Sequence, residues 1–126
     1  MQDFRNLKVW QKAHAVTLAI YRETRSFPSD EKFGITSQLR RSCASIPANI
    51  ADGCARGGDV DFARFINVAA SSASETDYHL LLARDLQYLE ESRYQELLDQ
   101  ISEVRRMLNS FERTLRSNSD LLLANS

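Results

Sequence analysis

Few side chains in this sequence could do covalent or metal chemistry. Beyond the carboxylates there are two histidines, His14 and His79, and two cysteines, Cys43 and Cys54. A di-metal centre in a helical protein takes Glu-x-x-His from two helices and a further Glu from each of two others. Here Glu75 precedes His79 by four positions rather than three, and no second pair exists. The spacing predicts no metal site, and His79 reads as a residue that packs or caps at the edge of a helical bundle. Cys43 and Cys54 lie eleven residues apart on one predicted helix, roughly 16 Å at about 1.5 Å rise per residue. A disulfide needs Cα atoms within about 7 Å, so both are expected as reduced, small core residues. No histidine lies near either in sequence to activate a thiolate. Gly57-Gly58 lacks the preceding strand and the lysine of a phosphate-binding loop. These patterns predict neither a catalytic site nor a cofactor.

The richest polar pattern runs from Gln38 to Arg56. Arg41, Ser45, Asn49 and Asp52 follow spacings of 4, 4 and 3, which puts them on one helical stripe. Two readings stay open. The stripe can make interhelical hydrogen bonds and end caps, or it can present Arg40, Arg41 and Arg56 to phosphates through their planar, permanently charged forks. Arg5, Lys8 and Lys12 form a second basic row, either a nucleic-acid surface or a solvated helix face.

Four amphipathic segments must position these residues. The first spans about 5–26, with Val9, Ala13, Val16 and Ile20 in one stripe, and ends at Phe27-Pro28. The second, about 30–55, starts at Ser29-Asp30-Glu31 and carries Leu39, Cys43, Ile46, Ile50 and Cys54. Pro47 predicts a kink rather than a break, because the apolar rhythm continues in phase on both sides. Gly53 and Gly57-Gly58 offer left-handed C-cap positions. The third, about 59–90 and capped by Asp59, buries Phe62, Phe65, Ala69, Ser72, Thr76, Leu80 and Ala83. Its six small residues from Ala69 to Ser74 would let another backbone approach closely. The fourth, about 92–116, opens on a Ser92/Gln95 capping box and repeats Tyr94, Leu97, Leu98, Ile101, Val104, Leu108, Phe111 and Leu115. Residues 118–126 read as a mobile tail. Short connections between such helices predict one all-α domain over 1–117, an antiparallel up-down-up-down four-helix bundle.

Composition agrees. Only 4 Gly and 2 Pro occur in 126 residues, too few for the many turns of an all-β domain. Net charge is −1, without a global pull towards a polyanion. The charge is uneven, however: residues 1–58 hold 9 Lys/Arg against 5 Asp/Glu, and residues 59–126 hold 7 against 12. The N-terminus shows no apolar signal core and no run is long enough to span a membrane, so the expected location is cytoplasmic, without membrane contact.

Several motifs together resemble a known family. Phe4-Arg5-Asn6-Leu7-Lys8-Val9-Trp10-Gln11-Lys12-Ala13 is followed by Phe27-Pro28 with Glu31, and by Gln38-Leu39-Arg40-Arg41. Ser45-Ile46-Pro47-Ala48-Asn49-Ile50-Ala51-Asp52-Gly53, Arg64-Phe65 and Ser72-x-x-Glu75 complete the set. Over residues 3–115 the sequence resembles the bacterial four-helix-bundle proteins encoded in 23S ribosomal RNA intervening sequences. Asp52 stands where that family usually has Glu, and Ser71 where it usually has Gly. The resemblance implies a homopentameric ring with no catalytic activity. It also implies kinship with the accessory proteins of diversity-generating retroelements, which bind nucleic acid and a reverse transcriptase. Combined with the residue reading, it predicts RNA or DNA binding through Arg5, Lys8, Lys12, Arg40, Arg41 and Arg56, with Gln38, Ser45, Asn49 and Asp52 as polar motif positions. The alternative is an assembly scaffold or partner-docking module that binds no nucleic acid.

Overall fold

Asp3 caps a 3-10 turn at Phe4–Asn6 by accepting from the Arg5 N–H, and the chain then enters helix α1, Lys8–Glu23. Helices α2 (Ile35–Cys54), α3 (Asp59–Asp85) and α4 (Glu91–Ala124) follow. The computed structural model describes residues 3–124, with side chains through residue 120, and contains no strand among them.

Contacts between side chains give the topology. Thr17 meets Cys43 while Thr24 meets Arg40, so α1 and α2 run in opposite senses. Ser42 meets Thr76 and Ser45 meets Ser72, which makes α3 antiparallel to α2. Asp77 pairs with Arg105 and Asn67 bonds Glu112, and likewise Glu23 pairs with Arg93 and Lys12 with Glu103. Each helix therefore packs antiparallel against both its neighbours, and α1 closes the ring on α4. This is the up-down-up-down bundle that the four apolar stripes predict.

The core consists of those stripes. Val9, Ala13, Val16 and Ile20 of α1, and Leu39, Cys43, Ile46 and Ile50 of α2, are buried with Leu97, Ile101, Val104 and Leu108 of α4. On α3 the buried line begins at Ala63 and Ile66 rather than at Phe62 and Phe65, which are half-buried. Phe65 Cβ and the Phe62 ring stand over Gly53 instead, and the Phe62 ring meets Phe111 edge-on at 5.1 Å. The predicted small-residue waist does allow close approach, with Ser72 Oγ 2.9 Å from Ser45 Oγ on α2.

Helix ends differ most from expectation. Ser29–Glu31 form a separate 3-10 turn, and α2 starts only at Ile35, because Gly34 (φ −103°, ψ −122°) departs from helical geometry. No described glycine has positive φ. Instead, α2 closes by tightening: the Ala55 N–H reaches the Ala51 and Asp52 carbonyls and the Arg56 N–H that of Gly53. Gly53 is buried inside the helix, and Gly58, not Asp59, occupies the N-cap of α3. Asp59 and Asp61 still complement the helix dipole from the first turn. α3 stops at Asp85 rather than near Glu90, and α4 begins at Glu91, ahead of the Ser92/Gln95 box. At its far end α4 passes through Ser117-Asn118-Ser119 and continues helical to Ala124. The backbone is thus helical where a break was expected after Arg116, and 125–126 lie outside the described residues.

α2 runs unbroken through Pro47. Proline has no N–H, so the Cys43 carbonyl loses its usual partner four residues on. The Thr17 hydroxyl from α1 stands 3.1 Å from that oxygen and 2.7 Å from the Ala13 carbonyl, sharing one hydrogen between them.

Candidate functional site

The six basic candidates differ in the contacts their side chains make. Arg40 turns towards α1: its Nε donates to Thr24 Oγ1 at 2.8 Å, its Nη2 to the Tyr21 carbonyl at 3.2 Å, and the guanidinium lies over the Tyr21 ring. It thereby satisfies the carboxyl end of α1, where carbonyls lack helical donors. Lys12 pairs with Glu103 at 2.7 Å across the α1–α4 seam, and this ammonium holds the Glu103 carboxyl below its ordinary range. Arg5 pairs with Asp3 at 3.2 Å and lies over Phe4. Arg56 reaches Asp52 at 3.4 Å, one turn back, and covers Phe65. Of the six, Lys8 and Arg41 make no ion pair or hydrogen bond through their side chains among the described residues.

The polar stripe of α2 divides in the same way. Asn49 Nδ2 donates back to the Ser45 carbonyl at 2.8 Å and to Ser45 Oγ at 2.9 Å. Ser45 in turn bonds Ser72, so this part of the stripe ties α2 to α3. Asp52 is occupied by Arg56. Gln38 and Arg41, at the other end, are exposed.

Those two residues line a polar groove of about 490 Å³ between α2 and α3, together with Ser42, Ser45, Glu75 and His79. The groove joins Gln38, Arg41 and Ser45 of one motif to Glu75 of another far along the chain. Helical spacing explains the convergence. Residues 38, 41, 42 and 45 step by 3 and 4 along α2, and 75 and 79 by 4 along the antiparallel α3.

The groove floor is a hydrogen-bonded chain. Thr76, fully buried, stands 2.8 Å from the Ser72 carbonyl and 3.0 Å from Ser42 Oγ. Ser42 Oγ lies 3.2 Å from the Leu39 carbonyl and 3.3 Å from His79 Nδ1. Such a buried chain is stable because each polar atom finds a partner. The upper wall faces solvent: the side chains of Gln38, Arg41 and Glu75, and His79 Nε2, make no polar contact with other described residues.

A serine, a histidine and a glutamate at one groove invite comparison with a nucleophilic triad, and the geometry does not support it. Ser42 is 4% exposed, with its oxygen enclosed by the Leu39 carbonyl and Thr76. Glu75 makes no bond to His79 that would orient the ring. Cys43 is buried, and desolvation pushes its thiol up to about 12, far from a thiolate nucleophile. Burial raises Cys54 as well. Among the described residues no three His, Cys, Asp or Glu side chains gather to hold a metal, and no helix is long and apolar enough to cross a membrane.

Sequence reasoning singled out Gln38, Arg41 and Ser45 but placed Ser42 and Glu75 in no common site, and put His79 at a bundle edge. His79 does pack, buried with Nδ1 3.3 Å from Ser42 Oγ of α2, and it lines the groove there. The signal available was the 3/4 spacing of 38, 41, 42 and 45; its partner on α3 required knowing the helix register.

Comparison with known proteins places these observations. A family model described as 23S rRNA-intervening sequence protein matches residues 5–110. A crystal structure of a protein of unknown function from the S23 ribosomal protein family of Bacteroides thetaiotaomicron VPI-5482 superposes with a TM-score of 0.75. It is 26% identical, and the match covers 82% of this chain and 97% of that one. No curated protein matches this chain.

Proposed function

This chain belongs to the 23S rRNA-intervening sequence protein family, and on that premise we propose that it is a non-enzymatic, self-assembling bundle that binds RNA or DNA through the α2–α3 groove. One observation carries the reading: Gln38 and Arg41 of α2 and Glu75 and His79 of α3 converge on one groove with their outward polar atoms unpartnered. The interface is thus narrower than a basic face over helices one and two. Arg40, Lys12, Arg5 and Arg56 make contacts within the chain, which leaves Lys8 and Arg41, and of these Arg41 lies at the groove as the base-reading or phosphate-reading group.

A mobility-shift titration of purified protein against structured RNA and DNA tests this. A complex is expected at about 50 mM salt that weakens as salt rises, because cation release drives such binding. Arg41→Glu should abolish the shift while the thermal transition stays in place. Arg40→Glu should instead lower stability, because it leaves the end of α1 uncapped. No shift with any nucleic acid would overturn the proposal.

A second reading, an assembly scaffold, is favoured by a different observation. Val60, Val68 and Tyr78 on the outer side of α3 are 57%, 50% and 58% exposed. In a ring the contacts are heterologous, so such a face meets a different surface of the next subunit. Self-assembly and groove binding are compatible, and a pentamer is the assembly that the family resemblance implies.

A further inference from the structure

Arg41 and Glu75 face one groove with opposite charges, yet among the described residues they form no ion pair with each other or with anything else. Gln38 and His79 Nε2 stand beside them, also without polar partners. The groove thus combines a forked donor, a forked acceptor, an amide and the Nε2 edge of an imidazole in about 490 Å³, within the usual range of pockets for small ligands, about 300–1,000 Å³.

A phosphate alone is a poor occupant, because Glu75 would repel it. The occupant must offer two adjacent acceptors to Arg41 and, on another edge, two adjacent donors to Glu75. Among the nucleobases guanine does this. Its O6 and N7 suit a guanidinium fork, and its N1–H and N2–H2 suit a carboxylate. Adenine puts an N6 donor beside N7, and the pyrimidines lack the acceptor pair. Both edges of guanine are accessible only when the base is unpaired, the state in which proteins read RNA by base edges and aromatic stacking. We infer that the α2–α3 groove selects an unpaired guanine, Arg41 reading its O6/N7 edge and Glu75 its N1/N2 edge, with the Gln38 amide beside them. This inference rests on the proposed nucleic-acid binding and goes beyond it by naming the base.

The test uses the full chain and fluorescence anisotropy with a short oligouridylate carrying one central guanosine, adenosine, inosine or 7-deazaguanosine. The guanosine strand is expected to bind about tenfold tighter than the adenosine strand. Inosine, without the N2 amine, and 7-deazaguanosine, without N7, should each lose part of that gain. Glu75→Gln should erase the difference between guanosine and inosine, and Arg41→Ala that between guanosine and 7-deazaguanosine. Both residues are exposed, and an unchanged thermal transition confirms folding. Equal binding of all four strands overturns this inference and leaves the proposed function standing. Absence of binding to all four strands also overturns this inference, while the mobility-shift titration with structured RNA and DNA decides the proposed function separately. If either substitution instead changes the mass of the assembly, the groove holds a neighbouring subunit and the guanine assignment is wrong.

Discussion

Two threonines of α1 and α2 carry the same hydroxyl into opposite circumstances. Thr17 serves the carbonyl that Pro47 leaves without a donor, whereas Thr36 Oγ1 is buried with no hydrogen-bond partner. A buried hydroxyl that makes a bond contributes about 1 kcal/mol, and one that makes none costs about as much or more. Thr17→Val should therefore lower unfolding free energy by about 1–2 kcal/mol, and Thr36→Val should raise it by about 0.5–1 kcal/mol. Urea titrations of the two variants, with unchanged m-values, check the opposite signs. Cys43 provides a pH test. Its folded-state pKa is raised to about 12 by desolvation, above the ordinary thiol value of about 8.5, so folding favours the neutral thiol. The stabilisation from this group is complete below the unfolded pKa and is lost as pH climbs towards 12. At pH 8, Cys43 should resist iodoacetamide in native protein and react once denaturant is added. Rapid native alkylation, located by peptide mass, would contradict this burial.

At the scale of elements, the helix ends carry the unusual conformations. Gln87, at φ 66°, is the only described non-glycine residue with positive φ. It terminates α3 through a Schellman turn in which the Tyr88 N–H reaches the Ala83 carbonyl and the Gln87 N–H that of Arg84. Glutamine was not legible as a stop signal, because glycine or asparagine usually takes that position. Tertiary contacts hold it: Tyr88 packs on Phe27 at 5.7 Å and its hydroxyl donates to Glu31 Oε2 at 2.9 Å. Gln87→Gly should raise stability by about 0.5–1 kcal/mol by relieving left-handed strain, seen as a higher midpoint in thermal unfolding. Gly53 shows the opposite requirement. A Cβ there would lie 2.6 Å from Phe65 Cβ and 2.9 Å from Phe62 Cδ1, so α3 cannot approach α2 this closely with any larger residue. Gly53→Ala should cost about 1–3 kcal/mol despite the better helix propensity of alanine. A neutral or stabilising result in the same assay would show that the two helices can separate without cost.

For the whole molecule, the difference in charge between the two halves of the chain does not become a simple basic face opposite an acidic one. Lys12–Glu103, Glu23–Arg93 and Asp77–Arg105 lace the α1–α4 and α3–α4 seams together. Pairs this open to solvent add little each, and they record which helices are neighbours more than they stabilise them. The exposed apolar residues of α3 are the more informative feature. If Val60 and Val68 form the subunit contact, Val68→Glu should shift sedimentation towards the monomer while leaving helical content unchanged. A variant that keeps the parent mass would move the contact elsewhere on the bundle.

The sequence by itself determined the number of helices, most of the buried stripe on each, and an antiparallel order, because the 3/4 apolar rhythm and short connections leave few other ways to bury four such faces. It also determined the polar stripe on α2, since 3.6-residue periodicity places side chains on a helix without reference to anything else. Only the tertiary structure decided which polar residues are occupied and which are available. Arg40 and Arg41 are adjacent in sequence and look equivalent, yet the roughly 100° turn between consecutive helical residues aims one at the end of α1 and the other at the groove. Likewise Glu75 and His79 join Gln38 and Arg41 only through the register of α3 against α2. That register is set by long-range packing at the small residues and at Gly53, which local periodicity does not encode.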